Sequence, residues 1–400
     1  MLPLFYVISH YSNLPFRAWE QRKLRDFTKI SQGLQIAISD RYLENGDNRE
    51  LYITNEFLNT YSSPKYYIEN PPENVIANED DILMTRTGNT GKVITNVIGA
   101  FHNNFFKIDY NPMKTSKLFL YYVLVSENIQ KEILIKAGTS TIPDLKHNDF
   151  YSIVIQVPKI QEQQKIGDFF KQLDNTIALH QRKLDTLKQM KKGLLQQMFP
   201  KSEEDVPKIR FADFDEEWYQ RKLGEEFEKI NERNDGSFGK THWISVAKMY
   251  FVEPNKVLSN NIDTRTYVMR KGDIAFEGHS NTDFKFGRFV ANDIGPGIVS
   301  ELFPVYRHKT NYDNNYWKNA IQLEHIMAPI YSKSITSSGN SSNKLDSKHF
   351  LNQKIYIADF EEQEKIGSIF KQLDNTIILY QNKLNKFDIL KKAYLQTMFI

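Results

Sequence analysis

The sequence predicts a mixed α/β (α+β) protein of two globular domains, each followed by a long helix. The two helices are expected to zip into an antiparallel coiled coil, giving the chain an internal two-fold pseudo-symmetry. Three observations predict this. Four hundred residues exceed what one hydrophobic core usually organises. The phrase "KIGDFFKQLDNTI" (Lys165–Ile177) returns as "KIGSIFKQLDNTI" (Lys365–Ile377) half a chain later, and self-similarity at a fixed period marks a repeated architecture. Ahead of each copy lie short β-type runs with one amphipathic stretch, without the βαβ alternation of a doubly wound sheet.

Residues 1–158 form the first block. Its strand candidates are "ELYITN", "DILMTR", "KVITNV" and "FYSIVIQV", and its helical stretch is "SKLFLYYVLVSENIQKEIL". Residues 159–200 form the first long helix. Ile166, Phe170, Leu173, Ile177, His180, Leu184, Leu187, Lys191, Leu194 and Met198 alternate spacings of four and three, a heptad seam of about five heptads. Residues 201–217, "KSEEDVPKIRFADFDEE", are acidic and proline-bounded, as expected of a solvated linker.

The second block, residues 218–357, offers the strands "HWISVA", "DIAFEG", "GRFVAN" and "KIYIAD" and the helical stretch "NNYWKNAIQLEHIMAPI". Residues 358–400 repeat the helix with Ile366, Phe370, Leu373, Ile377, Tyr380, Leu384, Phe387, Lys391, Tyr394 and Met398. Each helix would run roughly 55 Å at 1.5 Å per residue. An apolar seam of this kind needs a partner, and the nearest is its own repeat. Lys191 and Lys391 on the seam either snorkel outward or fix the register; snorkelling is the expectation. Outside the helices the blocks share only traces, "WEQRKL" against "WYQRKL" and "EDDIL" against "KGDIA".

Composition narrows the function. Hydrophobic content of 40% with 13% aromatic residues fits packed domains, and a net charge of +3 leaves any basic face to local clustering. The chain has no cysteine, which excludes disulfides and thiolate metal sites and favours a soluble cytoplasmic protein. "MLPLFYVISH" lacks a basic n-region and a cleavage site and reads as neither signal peptide nor membrane span.

Four loops stand out. "TRTGNTGK" (Thr85–Lys92) and "AGTSTIPDLK" (Ala137–Lys146) lie in the first block, and "EGHSNTDFKFGR" (Glu277–Arg288) and "TSSGNSSNKLDSK" (Thr336–Lys348) in the second. Arg and Lys suit guanine or phosphate, Asn suits adenine, and glycines let backbone N–H groups approach phosphate. The same composition also suits plain surface turns.

Catalytic motifs are missing. "ENPPEN" holds the Asn-Pro-Pro of adenine methyltransferases, but Glu73 stands where an aromatic would stack on a flipped base, and no Phe-x-Gly-x-Gly loop occurs. "GNTGK" is too short for a phosphate loop. His242, His279, His308, His325 and His349 show no ligand spacing and are expected to be exposed or capping residues.

Two variable blocks, each followed by the same helix, resemble the specificity subunits of type I restriction–modification systems. The resemblance rests on "QEQQKIGDFFKQLDNTIALHQRKLDTLKQMKKGLLQQMF" and "EEQEKIGSIFKQLDNTIILYQNKLNKFDILKKAYLQTMF", with "WYQRKLGE" and "DILMTRTGNTGK" as looser marks. It covers nearly the whole chain, although "MLPLFYVISHYSNLPFRAW" matches the second lead-in poorly.

The resemblance implies a non-catalytic subunit with two target recognition domains. Each would read one half of a split, asymmetric site on double-stranded DNA, the two about one helical turn (roughly 34–36 Å) apart. The helices would space the halves and dock two modification subunits, which recruit restriction/translocase subunits. S-adenosylmethionine, ATP and magnesium would sit on those partners, with no cofactor or metal on this chain. Expected DNA contacts are Arg86, Thr87, Asn89, Thr90, Lys92, Ser140, Thr141 and Lys146 in the first domain. In the second they are His279, Asn281, Lys285, Arg288, Asn340, Asn343 and Lys344. Expected coiled-coil and docking residues are Ile166, Phe170, Leu173, Ile177 and Leu184 with Ile366, Phe370, Leu373, Ile377 and Leu384. Two alternatives are a DNA adenine methyltransferase, alone or fused to a specificity domain, and a coiled-coil adaptor that binds proteins.

Overall fold

The computed structural model describes residues 19–59, 65–138, 141–201, 204–258, 262, 265–338 and 342–399. It divides into two compact units, residues 1–180 with 383–400 and residues 181–382. The boundaries fall inside the two long helices, so the first unit takes in the last part of the second helix, and the second unit, one continuous stretch, begins within the first helix.

The first unit runs β1 (Glu20–Lys23), β2 (Thr28–Gln32), β3 (Arg49–Ile53), β4 (Tyr66–Glu69), β5 (Ile76–Ala77), β6 (Ile82–Thr85), β7 (Val93–Thr95), β8 (Gly99–Phe101) and β9 (Phe105–Tyr110). Then follow α1 (Lys117–Val125), α2 (Glu127–Ala137), α3 (His147–Ser152), β10 (Val154–Val157) and the start of α4 (Ile160–Gln197). One four-stranded sheet has the order β2-β9-β6-β7 and is antiparallel throughout. A second has the order β4-β3-β8-β5, with β3 and β8 parallel. β1 pairs with β10, Glu20 opposite Val157.

The second unit starts in α4 and runs β11 (Tyr219–Lys222), α5 (Leu223–Glu226), β12 (Phe227–Ile230), β13 (Ile244–Ser245), β14 (Tyr250–Phe251), β15 (Thr266–Met269), β16 (Ile274–Glu277), β17 (Arg288–Ala291), β18 (Gly297–Ser300) and β19 (Val305–His308). It continues through α6 (Asn314–Ala320), α7 (Glu324–Ser334), β20 (Ile335–Ser338), β21 (Asn343–Leu345), α8 (Ser347–Leu351) and β22 (Lys354–Ile357) into α9 (Phe360–Met398). Its four-stranded sheet has the order β12-β19-β16-β17, the same plan as β2-β9-β6-β7. β11 pairs with β22, Tyr219 opposite Ile357, as β1 pairs with β10. The pseudo-symmetry therefore reaches into blocks whose sequences have diverged.

The expected strands are all present, though "HWISVA" supplies only two residues of strand. The expected single helices are each two. In the first, Ser126 is fully buried with extended backbone, and its hydroxyl donates to Val123 O at 2.7 Å, which ends α1 and starts α2. The second breaks between Ala320 and Glu324.

The repeated phrase anchors each helix to its own block in the same way. Gln163 is buried, donating to Pro158 O at 2.9 Å and accepting from Ser116 N at 2.9 Å. Gln363 donates likewise to Ala358 O at 2.9 Å. Trp19 Nε1 donates to Glu162 at 3.1 Å and Trp218 Nε1 to Glu362 at 3.0 Å. Gly167 is needed for close approach, because a Cβ there would lie 2.6 Å from Leu118 Cβ on α1; overpacking of this kind is destabilising.

Within each unit the long helices run antiparallel. In the first, Phe169 meets Tyr394 edge to face at 5.2 Å and His180 stacks on Phe387 at 5.3 Å. Ile166, Phe170, Leu173 and Leu384 are buried there, and Leu184, Ile366, Phe370 and Leu373 are buried in the second unit; Ile177 and Ile377 are half-buried. The seam lysines do not merely snorkel. Lys391 Nζ pairs with Asp174 and Lys191 Nζ with Asp374, each at 2.6 Å. Both pairs sit across the seam, where a charge needs its partner.

Two further expectations change. The segment before Trp218 is tied down: Arg210 makes two 2.8 Å bonds to Glu362, which is fully buried, and Ile209 N donates to Gln197 O at 2.9 Å. His308 is neither exposed nor a cap. It stacks on Tyr312 at 3.8 Å beside Phe227, and burial pushes its pKa down to about 3, so it is a neutral core residue. "MLPLFYVISH" lies outside the described residues.

Candidate nucleic-acid interface

Equivalent hairpins, β6–β7 and β16–β17, carry the loops singled out above. β6 reads Ile-Leu-Met-Thr and is buried throughout. Its last residue organises the turn: Thr85 Oγ1 receives Lys92 N at 2.9 Å and donates to Asn89 O. Gly88 and Gly91 adopt φ of 82° and 89°, which lets the chain reverse in so few residues. Asn89 and Lys92 end up exposed.

The second loop of the first unit is drawn onto this hairpin. Arg86 pairs with Asp144 at 2.6 Å and lies 5.8 Å from the Phe106 ring centroid. Leu145 N donates to Arg86 O at 2.8 Å, Thr90 Oγ1 donates to Pro143 O at 2.7 Å, and Thr87 bridges to Asp144. Thr141 and Lys146 are exposed beside it. Thr87 and Thr90 are half-buried and structural, and Arg86 has its guanidinium committed within the protein. Asn89, Lys92, Thr141 and Lys146 remain outward-facing. Ser140 lies outside the described residues.

The second unit repeats the arrangement with other side chains. Asn343 N donates to Gly278 O at 2.9 Å, the counterpart of the Leu145–Arg86 bond. Asn343 Nδ2 donates to Ser280 Oγ at 2.9 Å, and Asn343 is buried. Asn281 accepts from Asp283 N and Phe284 N, both at 2.9 Å, so its carbonyl oxygen caps its own turn. Arg288 donates to Ala247 O at 2.6 Å and stacks 4.7 Å over Phe284. His279, Lys285 and Lys344 are exposed, with His279 in contact with Glu277 below it. Asn340 lies outside the described residues.

The expected contacts thus gather into one site per unit, but they divide into groups that build the loops and groups that face outward. Sequence reasoning missed the builders Thr85, Pro143, Asp144, Glu277 and Ser280. One signal was available: Thr85 and Glu277 each end an otherwise apolar strand. A polar residue closing a buried run is positioned to bond the loop that follows.

The seam residues expected to dock partners are largely consumed by helix pairing. The large apolar side chains that the same helices leave exposed are Leu179 and Ile389 in the first unit and Met190, Phe360, Ile378 and Leu379 in the second. No group of three or more possible metal ligands occurs among the described residues, and no described helix is long and apolar enough to cross a membrane.

Residues 17–189 match the family model of the type I restriction modification DNA specificity domain. A relative named the type I restriction enzyme MjaVIII specificity subunit, from Methanocaldococcus jannaschii, is 22% identical over 408 aligned positions, covering 95% of this chain and 92% of the relative. Among solved structures, the S subunit of a type I restriction–modification system from M. genitalium superposes with a TM-score of 0.59 at 16% identity, over 97% of this chain and 98% of that one. A chain from a study of assembly and conformational transition in the type I R-M system gives 0.52 at 15% identity, over 95% and 98%. These structural likenesses are likenesses of fold.

Proposed function

We propose that the chain, whose residues 17–189 match the type I restriction modification DNA specificity domain, is a specificity subunit reading a two-part DNA site, one unit to each half. One observation carries the two-part reading. The same sheet plan and loop pairing occur twice, while the outward groups are Asn89, Lys92, Thr141 and Lys146 in one unit and His279, Lys285 and Lys344 in the other. A common frame with unlike loops suits the reading of unlike sequences.

The chain supplies recognition and no chemistry of its own. S-adenosylmethionine, ATP and magnesium belong on this reading to partner subunits: two modification subunits that methylate adenine, with restriction/translocase subunits joining through them in the cytoplasm. The helices offer Leu179 and Leu379, exposed at equivalent positions of the repeat, as like docking points for two copies of one partner. On the same reading the paired helices would set the unread gap between half-sites.

Selection of bound duplexes from a randomised pool, using the chain in complex with its partners, tests the proposal. Sequence-specific enrichment is expected, with log affinity falling linearly in log salt as phosphate contacts release counterions. Enrichment of no sequence would favour the adaptor reading.

A further inference from the structure

The second unit's hairpin carries a hydrogen-bonding relay that fixes which kind of base edge it can accept; the inference rests on the proposed placement of this loop on DNA. Glu277 closes β16 with its side chain only 8% exposed, and among the described residues it pairs with no Lys or Arg. Among the described residues its charged-type contact is His279, whose side chain is 61% exposed at the mouth of the loop. Two groups of His279 converge on a single carboxylate oxygen. The backbone N–H donates to Glu277 Oε1 at 3.0 Å, and the ring Nδ1 contacts the same Oε1.

An ionised carboxylate oxygen can only accept, so the ring nitrogen facing Glu277 Oε1 brings the proton. A neutral imidazole carries one N–H. With that proton held at Nδ1, Nε2 faces outward as a lone pair. In the major groove a hydrogen-bond acceptor is satisfied only by an amino group, N6 of adenine or N4 of cytosine. Guanine O6 and N7 and thymine O4 would meet it lone pair to lone pair. Three neighbouring polar groups do not compete for this role: Asn281 Oδ1 caps the loop, Arg288 is bonded to Ala247 O, and Ser280 is held by Asn343.

We propose that His279 reads an amino-bearing base, adenine or cytosine, through Nε2, and that Glu277 is the positioning residue that sets its tautomer. The first unit uses the same strand-end position differently. Thr85 there orders Asn89 and Lys92 through its hydroxyl, so the residue closing the strand decides what each loop presents.

Two measurements on the full chain test this. In 15N spectra of the imidazoles, with His279 assigned by its loss in His279→Ala, the neutral Nδ1–H tautomer is expected; the Nε2–H tautomer or a doubly protonated ring would overturn the inference. In duplex selection with the chain in its complex, His279→Ala should flatten one column of one half-site, losing about tenfold preference for adenine or cytosine. Glu277→Gln, which keeps an accepting oxygen, should retain the column. Glu277→Leu, which frees the ring to take the other tautomer, should shift it toward guanine or thymine. A flattened column that reads guanine or thymine in the unsubstituted chain overturns the proposal, as does a His279→Ala profile with no column changed. Failure of the unsubstituted chain to select any sequence would instead sink the functional reading beneath it.

Discussion

Arg86 sits in a loop whose composition suggested a free cation for guanine or phosphate, and its guanidinium is spent on Asp144 at 2.6 Å. The partner lies 58 residues away, so nothing local in the sequence announced the pair. The exposed members of the same candidate set, Asn89, Lys92 and Lys146, were legible because outward polar groups on a short loop need no distant partner. Arg86→Ala should therefore loosen the contact between the two loops of the first unit. Recognition of one half-site should weaken about tenfold while the other half is untouched, as read by duplex selection and titration. Asp144→Ala should produce the same loss, because it breaks the same clamp. If Asp144→Ala instead left binding intact and only Arg86→Ala abolished it, Arg86 would be touching DNA itself.

The elements divide by length in how clearly the sequence announces them. The long helices were plain from their heptads, since a repeat of 3.5 sustained this far has few other uses. Strands of only two residues gave too little alternation to find, as with β5 and β14. The break at Ser126 was hidden because apolar residues continue on both sides of it, and only burial of the serine shows why the chain turns. Substituting Leu173 or Leu373 would test folding rather than docking, as both are buried in the seam. The Lys191–Asp374 pair makes a sharper test of the helix register. Asp374→Lys should lower the stability of the second unit, and adding Lys191→Asp should restore most of it. A double-mutant cycle by denaturant unfolding should give a coupling of about 1–2 kcal/mol. Coupling near zero would mean that the apolar seam alone sets the register.

At the scale of the whole molecule the sequence reveals two blocks and two helices in series. The compact units instead change over at His180–Gln181 and Asn382–Lys383, inside the helices. The repeated helical phrase made the pseudo-symmetry visible, whereas the duplicated sheet plan was not, because strand pairing constrains polarity patterns far more than residue identity. β2-β9-β6-β7 and β12-β19-β16-β17 are the same sheet written in different residues. That combination, one frame with two sets of loop side chains, underlies the claim that the chain reads two different sequences at once. Sequencing of methylated adenines in a host carrying this chain with its partner subunits tests that claim most directly. The expected result is one asymmetric motif, two unlike half-sites separated by an unread gap of fixed length. A single uninterrupted motif, or a gap that varies from site to site, would contradict it.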